Sequence, residues 1–195
     1  MHRWNKVGLH GSMETYVSRS ALALAVVLTG CGGDAGTGDT GVDEVAAYCD
    51  GELGTPTVWL GEGVGGAFAP LEDGALVALE IAPQGGFGVS VQVRTEGLQG
   101  DAPAEVTVRT EIGGEPDASF TFVDASGQPT QQLFCLDDGR SALGAGVSVG
   151  FDADRWRQDN LTELDGVVAD LVVEVTDARG VTASGRTTVT LVVGS

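Results

Sequence analysis

The sequence predicts an all-β domain built as a two-layer antiparallel sandwich from about Val45 to Ser195, behind an export leader and a flexible linker. Short runs alternate apolar and polar residues with a period of two, and Gly, Asp and Pro bound those runs. No segment carries the 3.6-residue period of a long amphipathic helix.

The N-terminal segment 1–30 has the layout of a secretory signal. Arg3, Lys6 and Arg19 precede the apolar stretch Ala21 to Leu28. With Thr29 and Gly30 that stretch is about ten residues, or roughly 15 Å of helix, whereas a bilayer core needs roughly 20 residues. It is too short to span. Met13 offers an alternative start with Arg19 as its n-region, and the mature chain is the same from either start.

Leu28-Thr29-Gly30-Cys31 resembles the lipobox of bacterial lipoproteins, in which a cysteine receives a diacylglyceryl group before cleavage. The resemblance implies lipidation of Cys31, further N-acylation, and attachment to a membrane of the cell envelope, the outer membrane in preference. The domain would then stand in the periplasm or at the cell surface. One acyl chain gives only marginal binding at about 0.8 kcal/mol per buried CH₂, and two or more make the attachment stable.

Assigning Cys31 to lipid leaves Cys49 and Cys135, 86 residues apart, as a pair in an exported protein. A disulfide between them is expected, worth about 4 kcal/mol on the chain-entropy estimate. Two separate buried thiols are the alternative.

Residues 32–44 have glycine at every second or third position and almost nothing apolar to bury. With Cys31 they read as a flexible tether of about 20 Å root-mean-square reach. From Val45 the expected strands are Thr57 to Leu60, Ala75 to Ile81, Phe87 to Arg94, Glu105 to Arg109, Ser119 to Val123, Gln131 to Leu136, Val147 to Phe151, Ala169 to Thr176 and Arg186 to Val193. The one helical candidate is Asp152 to Leu164, where Asp152 would cap a short turn carrying Trp156.

Leu171 to Asp177, a glycine turn, and Thr187 to Val193 resemble the closing hairpin of immunoglobulin-like domains. Gly66-Ala67-Phe68-Ala69-Pro70-Leu71, Asp73-Gly74 and Pro83-Gln84-Gly85-Gly86 are similar to segments of uncharacterised myxobacterial lipoproteins. These resemblances imply an immunoglobulin-like β-sandwich and an address in the envelope. They bring no activity and no functional residues.

Charge restricts the partners. From Cys31 onward seven arginines and no lysine face 27 acidic residues, a formal net charge of −20. Such a field repels DNA, RNA and anionic lipid head groups, and nucleic acid also lacks a basic patch to bind. The acids are scattered, as on a surface kept from self-association.

Several motifs resemble catalytic signatures without their context. Gly146-Val147-Ser148-Val149-Gly150 matches the G-x-S-x-G nucleophile elbow, which needs a strand-to-helix turn and a base. Both histidines, His2 and His10, lie ahead of the expected cleavage point and the mature chain has no lysine, so Ser148 reads as a strand residue. Gly61-Glu62-Gly63-Val64-Gly65-Gly66 matches G-x-G-x-x-G, but Pro70 follows where a helix would start and Glu62 repels phosphate, so a glycine loop is expected.

Without histidine or free thiols, soft metal ligands are missing from the mature chain. The only candidates for a hard ion such as calcium are the loop acids Asp137, Asp138, Asp152 and Asp154, which lack EF-hand spacing. Of the aromatic residues able to stack on a glycan, Trp59 beside Val58 and Leu60 is expected in the core. Trp156, between Arg155 and Arg157, is expected exposed, making Arg155, Trp156 and Arg157 the candidate ligand contact.

The reading is an envelope-anchored, non-enzymatic binding or structural module without cofactor, contacting an envelope protein or glycan through loops at one end. A calcium-dependent adhesion module is one alternative. A hydrolase using carboxylates alone is the other, and it requires a cleft holding two carboxyls about 5 to 10 Å apart.

Overall fold

The alternating runs become twelve strands among the described residues. The computed structural model describes residues 40–62, 67–81 and 86–194, all within the second of the chain's two units, Met1–Thr37 and Gly38–Ser195. The leader 1–30, Cys31 and the linker as far as residue 39 lie outside them.

The strands are β1 (Thr57–Glu62), β2 (Ala69–Pro70), β3 (Ala75–Ala78), β4 (Glu80–Ile81), β5 (Phe87–Glu96), β6 (Ala102–Ile112), β7 (Glu115–Thr121), β8 (Gln131–Cys135), β9 (Ser141–Leu143), β10 (Val147–Gly150), β11 (Val168–Thr176) and β12 (Thr182–Val192). They form one hydrogen-bonded path, β2-β1-β5-β9-β8-β6-β11-β12-β3, with β4 and β10 on β5 and β7 on β6. The path folds back on itself, so that β1 lies against β11 and β12, and β10 against β6 and β7. At Gly185 of β12 a Cβ would meet the Val58 backbone carbonyl oxygen at 2.6 Å. Only glycine allows β1 to cross β12 that closely.

Period-two alternation decides what is buried. In β6 Ala102, Ala104, Val106, Val108 and Thr110 face inward, and β11 turns Ala169, Leu171, Val173 and Val175 the same way. Ala104, Val106 and Val108 with these residues of β11 meet Val89, Val91 and Val93 of β5 and Val147 and Val149 of β10 in one hydrophobic core. The closing hairpin is present as expected, with β11 and β12 paired from Val168↔Thr190 to Thr176↔Thr182.

The structure corrects the expected outline in four places. The pairing is antiparallel except between β3 and β12, which run parallel from Val189↔Ala75 to Val192↔Ala78. A parallel pair needs a long crossover, and here most of the domain supplies it. The expected strand Ala75 to Ile81 breaks at Leu79, where the chain leaves β12 for β5. β7 lies earlier than Ser119 to Val123, with a register shift at Thr110/Glu111 of β6. Finally, β2 and β9 are too short to show alternation and were not expected.

Two helical segments also depart from expectation. An α-helix, α1 (Thr40–Cys49), occupies the end of the expected tether and crosses its boundary with the domain. Val45-Ala46-Ala47 favours helix, and Gly51, at φ 69°, stops it. Cys49 is disulfide-bonded to Cys135 with Cα atoms 5.6 Å apart, which ties the helix end to β8. Residues 152–164 form turns and a short 3-10 segment (Leu161–Leu164) instead of an α-helix. Asp152 does hold the first turn: its side chain accepts from the Asp154 N–H, and its carbonyl accepts from the Arg155 and Trp156 N–H groups.

Candidate functional site

The ladder registers define two ends of the domain. At one, Thr176 leads into the β11–β12 turn beside Gln99 and the disulfide. At the other, Phe87 begins β5 and Val193 follows β12. The second end is open.

There, a cavity of about 530 Å³ is lined on its apolar side by Leu79, Ile81, Phe87, Trp156, Leu161 and Val193. Ile81, on the two-residue strand β4, is 79% exposed, so the apolar surface faces solvent directly. Arg157 and Gln158 bring polar groups to the lining. Phe87 and Ala153 also line a second cavity of about 360 Å³ between the edge strands β7 and β10, with Phe120, Phe151 and Ser148.

The floor of this end is organised by Asp117 of β7, whose side chain has no exposed surface. Its Oδ1 accepts from Trp156 Nε1 at 2.9 Å and from the Arg155 guanidinium at 3.0 Å, and its Oδ2 accepts from the Asp152 N–H at 2.9 Å. Arg155 also lies over the Trp156 ring, 4.6 Å from its centroid. A buried carboxylate with every contact supplied by a donor fixes the 152–157 loop against β7. No sequence pattern indicates Asp117, because its partners lie 35 to 39 residues away.

The expected triplet Arg155, Trp156 and Arg157 therefore divides. Trp156 is 8% exposed and packed in the core, contrary to the expectation of an exposed ring, because Asp117 supplies the partner its indole N–H needs when buried. Arg155 is engaged by Asp117 and the Trp156 ring. Both arginines are exposed, but among the described residues the Arg157 guanidinium has no ion pair; its backbone N–H donates to Asn160 Oδ1. Trp59 reverses as well: Val58 and Leu60 are buried, and the half-buried Trp59 ring lies under Arg140 at 5.2 Å. The two-residue period puts it on the opposite face of β1 from its neighbours.

At the disulfide end, Asp177 plays the part Asp117 plays at the other. Its buried carboxylate accepts from the N–H groups of Gln99, Arg179 and Val181 and from the Arg179 guanidinium at 2.8 Å. Burial works to raise its pKa, but these donors outweigh burial and hold the carboxyl below the ordinary value of 3.8.

The remaining sequence candidates have these places. Ser148 sits in mid-strand in β10, opposite Ser90, with no strand-to-helix turn. Gly61 and Glu62 end β1, and residues 63–66 lie outside the described residues. Asp138 accepts from the Arg140 N–H and pairs with its guanidinium at 3.7 Å, and Asp152 and Asp154 belong to one turn. Among the described residues no three acidic, His or Cys side chains gather as a metal ion would require, and Asp137, Asp138, Asp152 and Asp154 form no such group. Asp117 and Asp152 both line the second cavity, yet Asp117 is buried and filled by donors, leaving it no free oxygen for acid or nucleophile work.

Neither the protein-family models nor the curated proteins give a match to this chain.

Proposed function

We propose that this chain is a lipid-anchored lipoprotein of the cell envelope whose immunoglobulin-like β domain is a non-enzymatic binding module. The membrane is reached through lipid on Cys31, the outer membrane in preference, and the domain stands in the periplasm or at the cell surface. Its binding site is the open groove beside Trp156. One observation carries the reading: a roughly 530 Å³ cavity with a mainly apolar lining opens at the end of the sandwich away from the disulfide. Ligand sites are typically clefts of about 300 to 1,000 Å³, mostly apolar, with a few placed polar groups. The rigid loop locked by Asp117 supplies a pre-formed wall.

The anchor and the site are tested separately. Cys31→Ala should lose palmitate labelling and leave the detergent phase; a variant still processed and membrane-bound overturns the anchor. A photo-crosslinking residue at position 158, activated in living cells, should give discrete adducts that Ile81→Asp abolishes. Absence of adducts, or adducts indifferent to Ile81→Asp, overturns the groove as the site.

A further inference from the structure

The groove's lining also points to the class of its ligand. Leu79, Ile81, Phe87, Leu161 and Val193 offer apolar contacts, and among the described residues no acidic side chain lines the groove. The Trp156 ring is buried and Arg155 covers one face of it, so it offers no open indole face for a sugar to stack on. Flexible hydrocarbon needs only apolar area. At the same surface stands Arg157, with no ion pair among the described residues, whereas Arg140, Arg155, Arg179 and Arg186 are each matched to acids, and Arg109, which also lacks one, does not line the groove. In a domain so acidic, a cation left open beside an apolar groove marks where one negative charge is accepted.

We infer that the groove binds an anionic amphiphile: a long acyl chain lies along Leu79, Ile81, Phe87, Leu161 and Val193, and its acidic headgroup meets the guanidinium of Arg157. This inference rests on the groove being the binding site. The occupant is a free long-chain carboxylate bound as a single molecule; the acidic field of the domain repels a bilayer surface of anionic lipid. Binding is driven by burial of the chain, and Arg157 selects the charge of the head.

The test uses the full chain with Trp4→Phe and Trp59→Phe, so that Trp156 is the only tryptophan, in detergent-free buffer. The probes are 9,10-dibromostearate and vesicles of phosphatidylglycerol carrying the same brominated chains, because bromine quenches indole emission on contact. Saturable quenching is expected. Arg157→Glu should raise the concentration for half-quenching about tenfold, equivalent to 1.4 kcal/mol, and Ile81→Asp should abolish quenching. Both variants should keep the parent melting temperature, since both side chains are exposed.

Quenching by free dibromostearate supports the inference, and quenching by vesicles alone overturns it. No quenching by either probe, or quenching indifferent to both substitutions, overturns it. If position 158 still gives adducts that depend on Ile81, the ligand class is wrong and the groove reading stands. If adducts and quenching both fail, the groove reading falls with it.

Discussion

The two ends of the sandwich solve the same problem and come to opposite outcomes. Each holds a buried aspartate met by donors and one arginine: Asp177 by three backbone N–H groups and Arg179, Asp117 by one backbone N–H, the Trp156 indole and Arg155. At the Asp177 end the disulfide adds a covalent tie, and the Gln99 N–H and the Cys49 carbonyl are both taken up. At the Asp117 end the same device locks only one wall, leaving Ile81 and Arg157 uncovered. Rigidity is therefore not what separates the ends; closure is. A surface for binding persists where one wall is fixed and the facing apolar residues lack a cover.

The largest effect expected from breaking this contrast comes from the covalent tie. Replacing Cys49 and Cys135 by serine should lower the free energy of urea unfolding by about 4 kcal/mol. A loss well under 1 kcal/mol would show that the closed end is held by Asp177 alone.

The paired aspartates come next. Asp177→Ala and Asp117→Ala should each cost about 3 kcal/mol, because each strands buried N–H donors and an arginine. Only Asp117→Ala should shift Trp156 emission to the red. Equal emission changes in the two variants would make the ends one mechanical unit.

Acid separates the ends more gently. Asp177 has its pKa depressed in the folded state, so its stabilisation is present above the ordinary value of 3.8 and is lost as pH falls through the lower folded value. Asp170, held down chiefly by the Thr188 hydroxyl against the opposing effect of burial, and by Arg186, acts in the same direction. Urea midpoints measured from pH 5 to pH 2 should decline below about pH 4, and Asp177→Asn should flatten that decline. An unchanged acid limb in this variant would contradict the assignment.

The smallest effect belongs to the open end: Ile81→Asp, at a side chain 79% exposed, should change stability by no more than about 0.5 kcal/mol. A large loss in thermal melts would mean that Ile81 is structural.

What the sequence discloses about these ends follows from the range of the interactions. Strands such as β5, β6, β11 and β12 are legible because half-burial writes itself into every second residue. The break at Leu79 and the three residues of β9 leave no such trace, since tertiary pairing alone defines them. In α1 the glycine-rich composition of the preceding linker obscures a short helix that a disulfide secures at its end. Trp59 obeys the same period: buried apolar neighbours on both sides of a strand residue place it on the other face. The Trp156 indole depends on Asp117, 39 residues away, and flanking arginines suggest exposure that the fold does not grant. The candidate groove draws on β4, β5, the loop after β10 and the residues following β12, so its assembly is visible only in three dimensions. The disulfide, by contrast, follows from counting cysteines once Cys31 is set aside.

The parallel pairing of β3 with β12 has a consequence for how the domain comes into being. Val77 is fully enclosed only when Leu191, its ladder partner, has arrived, and a chain made from its N-terminus delivers that partner 114 residues after Val77. Until then β3 presents an unsatisfied edge, and the outer side of β11 has no neighbour. Contacts this distant in sequence slow folding. Until β12 emerges the nascent domain is therefore vulnerable to aggregation or proteolysis, and that strand with Val193 after it completes both the core and the rim of the groove.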